Sequence, residues 1–91
     1  MNRMERIHVA LERELKPQSL AIEDESHHHV GHAGAATGRG HFAVRIVSHA
    51  FAGQPLIQRH RLVYAALGEL MQTDIHAMSI RALTPEEAER T

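Results

Sequence analysis

At 91 residues with 43% hydrophobic content, the chain can build one small domain with its own core but not two. It has no cysteine, which excludes a disulfide framework, a thiol nucleophile and a self-supplied thiolate cluster, and fits a reducing compartment. Net charge is −1 with histidine neutral, and nine scattered arginines make up nearly all of the ten basic residues; a general electrostatic nucleic-acid binder is excluded and only a local site could serve.

In chain order, Met1–Arg6 lacks the apolar core of a signal peptide, and no apolar run approaches the ~20 residues of a membrane span. A soluble, cytoplasmic protein is expected. Met4, Ile7, Leu11 and Leu15 fall at helical spacing, predicting an amphipathic helix over 4–15 that Pro17 stops. Residues 19–24 read as a short strand with Leu20 and Ile22 on one face. Residues 26–40 are polar and rich in glycine and histidine, and they predict a long flexible loop; loops of this length are usually functional or disordered. The clearest strand is 41–48, with Phe42, Val44 and Ile46 alternating against Ala43, Arg45 and Val47.

Phe51–Pro55 reads as a turn, and Pro55 suits the first turn of a helix over 55–71. Leu56, His60, Val63, Leu67 and Leu70 form one helical stripe in it. Residues 75–82 predict a third strand with His76, Met78 and Ile80 on one face. Thr84-Pro85-Glu86-Glu87 is a capping box that opens a short terminal helix. The order α-β-β-α-β-α gives an α+β fold, a single small domain spanning 1–91 with its core over about 4–90. Strands one and two pair antiparallel, the helical crossover permits a parallel pairing for strand three, and both long helices pack on one face of the three-stranded sheet. This is a split sandwich of the KH-like kind.

Nine histidines dominate the candidate chemistry. A histidine inside a strand must satisfy two ring nitrogens, so His76 reads either as a hydrogen-bonded strand-end residue or as a ligand. His29 and His32 read as solvated loop residues or as ligands. Together with His76 they also make a loose zinc set that would leave an open coordination position. His60 reads as a packed stripe residue bonded to a carbonyl. Arg59 and Arg61 read as a solvated helix face or as phosphate contacts. Glu23, Asp24 and Glu25 have no nucleophile or pocket to serve, and read as surface charge and loop capping.

Several of these fragments occur in the order of a known family. Asp24-Glu25-Ser26, the histidine- and glycine-bearing loop, His41-Phe42 opening a strand that ends Ile46-Val47-Ser48, Phe51-x-Gly53, Arg59-His60-Arg61-Leu62-Val63-Tyr64 and Ile75-His76-Ala77 together resemble the BolA family over roughly residues 7–87. The resemblance implies a type II KH-like fold and no enzymatic activity. It implies a monothiol glutaredoxin partner sharing a [2Fe–2S] cluster, with the glutaredoxin and glutathione supplying thiolates. His76 matches one ligand from this side. The second comes from the loop, where it must be histidine: His29 matches best by its distance from Asp24-Glu25-Ser26, His32 is the alternate, and His27 and His28 are adjacent spares. Two imidazoles on one iron raise the reduction potential relative to all-thiolate ligation. The resemblance also implies transcriptional regulation through DNA and a stress-response role, for which Arg59 and Arg61 are the candidate contacts. The only Gly-x-x-Gly, Gly31-His32-Ala33-Gly34, precedes no helix, so KH-style RNA clamping is not expected. The free protein is expected to be a monomer or weak homodimer.

Overall fold

The computed structural model describes residues 1–26 and 39–90. Its elements are α1 (Arg3–Leu15), β1 (Ser19–Asp24), β2 (Gly40–Val47), a single 3-10 turn (His49–Phe51), α2 (Leu56–Leu67), α3 (Leu70–Thr73), β3 (Ile75–Leu83) and α4 (Pro85–Arg90). The sheet runs β1-β2-β3. β1 lies antiparallel to β2 and β3 parallel to it, as the short and the helical connections require.

The first helix forms where its periodicity placed it. Asn2 caps it, its side chain accepting from the Glu5 N–H at 2.8 Å. Lys16 closes it in the left-handed region at φ 45°, just before Pro17. Ile7, Ala10, Leu11 and Leu15 are buried against the inward residues of β2, Phe42, Val44 and Ile46. Val63 and Leu67 of α2, Phe51, Ile75 and Ala82 complete one core. Both long helices therefore cover the same sheet face. Ser48 ties that core to the end of α1, its buried hydroxyl donating to the Leu15 carbonyl at 2.7 Å.

Three local expectations are corrected. The helix expected over 55–71 is two pieces: α2 ends at Gly68, which takes φ 55°, and a single-turn α3 follows. A positive φ suits glycine and breaks the helix there. Second, the stripe holds at Val63 and Leu67 but not at its start. Leu56 is 67% exposed, while Arg59, Val63 and Leu67 are the buried positions of α2. His60 is half-buried and its side chain makes no hydrogen bond among the described residues, so the expected carbonyl bond is absent there. Third, His76 does not share a face with Met78 and Ile80. Gly40 pairs with Ile75, yet His41 pairs with Ala77, so β3 carries one residue more than β2 at that step. The extra residue is His76. A bulge of this kind re-aims a side chain without disturbing the ladder beyond it, and from Phe42↔Met78 to Val47↔Leu83 the register is regular.

Candidate functional site

His76 stands at the start of β3. Ile75 before it is buried at 1% exposure and belongs to the core, whereas His76 is exposed. The bulge produces this contrast: it inserts the imidazole outside the in-out alternation, while the buried side chain beside it pins the backbone. An imidazole in this position has a fixed root and a ring open to solvent, which a ligand to a metal shared with another molecule needs.

The surroundings of His76 are rigid by construction. Asp74, two residues earlier, is buried and tied on several sides. Its carboxylate accepts from Arg6 Nη2 at 2.5 Å and from Arg3 Nε at 3.5 Å, joining α1 to the start of β3. Its other oxygen accepts from the Thr73 hydroxyl at 2.5 Å. The Thr73 hydroxyl and the Arg6 guanidinium hold this carboxyl below the ordinary aspartate range, in that order of importance. The Asp74 carbonyl accepts from the Gly40 N–H at 2.9 Å, tying β3 to the first residue of β2. The anchoring role of Asp74 was not read from the sequence. Its partners Arg3 and Arg6 lie some seventy positions away, and no local spacing signals such a pairing.

The histidine loop leaves and rejoins the sheet at this same end. The Asp24 side chain accepts from the Ser26 N–H at 2.9 Å, a local turn that bears out loop capping by this acidic stretch. The Ser26 hydroxyl accepts from the His41 N–H at 3.0 Å, and the Glu25 N–H donates to the His41 carbonyl at 2.8 Å. Gly40 stands between these contacts and Ile75. A Cβ there would lie 2.6 Å from the Ser26 hydroxyl and 2.8 Å from the Phe42 ring, so only glycine fits. His41, opposite Ala77, has its Nε2 4.0 Å from a Glu25 carboxylate oxygen. His27, His28, His29 and His32 lie outside the described residues, and with them the choice of loop ligand and the zinc reading. Among the described residues no group of three or more histidine, cysteine, aspartate or glutamate side chains is placed to hold a metal ion.

Arg59 does not face solvent as expected. It is 8% exposed, because its position on α2 turns inward beside Val63. Its Nε donates to the Gln54 carbonyl at 2.7 Å and Nη1 to the Ala82 carbonyl at 3.0 Å. Both terminal nitrogens reach the Glu87 carboxylate, at 2.6 and 3.2 Å. A buried guanidinium with four of its five N–H donors engaged inside the fold does not present a fork to a phosphate, so Arg59 is withdrawn as a nucleic-acid contact. Arg61 is exposed and, among the described residues, donates only to Gln58 Oε1, at 3.1 Å. No helix among the described residues is long and apolar enough to cross a membrane.

Comparison with known proteins agrees with the fold. The family profile described as BolA-like protein matches residues 11–87. The chloroplastic protein BOLA1 of Arabidopsis thaliana is 47% identical over 90 residues, covering 96% of this chain and 56% of its own length. The chain thus spans little more than half of that relative. The DNA-binding transcriptional regulator BolA of Escherichia coli strain K12 is 36% identical over 85 residues, covering 93% of this chain and 78% of its own. The solved structure of BolA1 from Arabidopsis thaliana superposes with a TM-score of 0.82 at 47% identity, covering 96% of each chain.

Proposed function

This chain belongs to the BolA-like protein family, and from that premise we propose that it is a non-enzymatic partner of a monothiol glutaredoxin. In this reading the two proteins bridge a [2Fe–2S] cluster, with thiolates from the glutaredoxin and glutathione and imidazoles from this chain. His76 is one ligand and a histidine of the 27–38 segment, His29 or its alternate His32, is the other. The role is iron–sulfur cluster trafficking or iron and redox regulation, in a reducing compartment such as the cytoplasm.

The observation that carries this reading is the exposed His76 on a bulge, fixed by the buried Ile75 and the Asp74 anchor, beside both ends of the histidine loop. Imidazole ligation would raise the cluster's reduction potential relative to four thiolates. The site would be weak without the partner, because one fixed histidine plus one loop residue supplies half a coordination set. The test mixes this protein with a monothiol glutaredoxin, iron, sulfide and glutathione, and records visible absorption and circular dichroism. His76→Ala should abolish the spectrum of the mixed complex while the glutaredoxin's own cluster spectrum persists. An unaltered mixed spectrum rejects the ligand assignment.

A second reading, regulation through DNA, is favoured by the name of the Escherichia coli relative. On this chain it rests on Arg61 without Arg59. Anisotropy of a labelled duplex across a salt series decides it: binding should weaken with salt, and Arg61→Ala should lower the salt slope by about one phosphate contact. Indifference to Arg61→Ala removes the reading.

A further inference from the structure

On the sheet face opposite the helices, two arginines stand side by side. Arg45 of β2 and Arg81 of β3 are register partners, so both side chains leave the same face with roots about 4.8 Å apart. Neither makes a hydrogen bond or ion pair with the described residues. Like charges directly across a ladder repel, and the row offers no relief, because its third member is Ala21 of β1. The next row is Glu23, Ala43 and Ser79. Its carboxylate is diagonal to Arg45, a full strand from Arg81, and bonded to neither.

Ala21, Ala43 and Ser79 are short, and the arginines border the hollow they leave. That depression holds about 520 Å³, within the range of small-molecule sites. Its alanines give an apolar floor, and Ser79 and Arg81 are exposed. Two adjacent guanidiniums match the charge of a phosphate monoester, about −1.5 to −2 at neutral pH, better than one carboxylate or one phosphodiester. Their planar forks also suit its oxygens. A nucleic-acid strand fits poorly. Open sheets that bind single strands stack bases on aromatic side chains, whereas Phe42 and Phe51 are fully buried and Tyr64 lies on α2.

We propose that this face is a binding site for a small phosphate monoester, gripped by Arg45 and Arg81 with its organic part on Ala21 and Ala43. The site is separate from His76, which precedes Arg81 by five residues, or about 16 Å of strand.

The test is an amide and arginine side-chain NMR titration with inorganic phosphate and with phenyl phosphate, at constant ionic strength. Saturable shifts should centre on Ala21, Ala43, Arg45, Ser79 and Arg81, with phenyl phosphate the tighter ligand. Arg45→Gln or Arg81→Gln should each weaken binding by about tenfold, the scale of one charged hydrogen-bonded contact, while Arg61→Gln leaves it unchanged. The two glutamine variants should melt at or above the parent temperature, because each removes a repulsion. The proposal is overturned if sodium chloride reproduces the shifts, if they survive in the double variant, or if either variant melts lower. It also fails if a DNA duplex displaces phenyl phosphate from these residues, which would make the face a nucleic-acid surface.

Discussion

His76 is exposed because one extra residue sits in β3, and this separates its chemistry from its packing. His76→Ala should leave the stability of the free protein, measured by urea unfolding, within about ±0.5 kcal/mol, as for a surface position, while under the proposed function it removes the mixed-cluster spectrum. A metal-bound imidazole must be neutral, so acidification should release the cluster as histidines protonate; a spectrum that persists below the histidine range would argue against imidazole ligation. Gly40 is the opposite case, with no chemistry and no room. Gly40→Ala drives a methyl into the Ser26 hydroxyl and the Phe42 ring, and should cost about 1–3 kcal/mol by overpacking. Denaturant unfolding measures it. Because the clash is at the foot of the loop, the substitution should also weaken the mixed complex.

The terminal helix shows how an element can be legible at one end and opaque at the other. Thr84-Pro85-Glu86-Glu87 predicts a capping box, and the structure has both of its bonds: the Thr84 N–H donates to the Glu87 carboxylate at 2.8 Å, and the Glu87 N–H to the Thr84 hydroxyl at 3.2 Å. The same carboxylate receives the buried guanidinium of Arg59, twenty-eight positions away. Arg59, followed by the Thr84 backbone, lowers the Glu87 pKa from 4.5 to about 2. A depressed carboxyl stabilises the fold above its unfolded value, and that contribution fades as pH falls from about 4.5 toward 2. Glu87→Gln should therefore melt lower at pH 7 and lose melting temperature less steeply across that acid window. A residual slope should remain from Asp74, whose pKa is lowered in the same direction. Arg59→Ala, which strands the Gln54 and Ala82 carbonyls, should cost about 2–3 kcal/mol by urea unfolding. Apolar periodicity placed α1, β1 and β2 because their burial follows local spacing. It placed Val63 and Leu67 of α2 in the core but not Arg59, because a buried arginine looks polar until its distant partner is known, and it missed the bulge, because a parallel pairing leaves no mark on one strand alone. Of the candidate site, the place of His76 in a strand was legible, while the Asp74 anchor was not.

At the scale of the molecule, α1, α2 and all three strands pack around one core, so the described residues should unfold together. Far-ultraviolet dichroism and tyrosine fluorescence should give coincident transitions. Phe42 is fully buried at its centre. Phe42→Ala should cost about 3–5 kcal/mol, a large share of the 5–15 kcal/mol typical of a whole domain. Its urea midpoint should fall accordingly, and a small shift would mean that the core is not shared. The contacts that clasp Glu25 and Ser26 to His41 have a consequence of another kind. They join the chain before residue 27 to the chain after residue 38, so the sheet should tolerate a change in how many residues lie between. Doubling such an insert adds only about 0.6 kcal/mol of closure entropy. A shorter or longer segment spliced in between those two ends should therefore leave the foundation of the sheet unchanged.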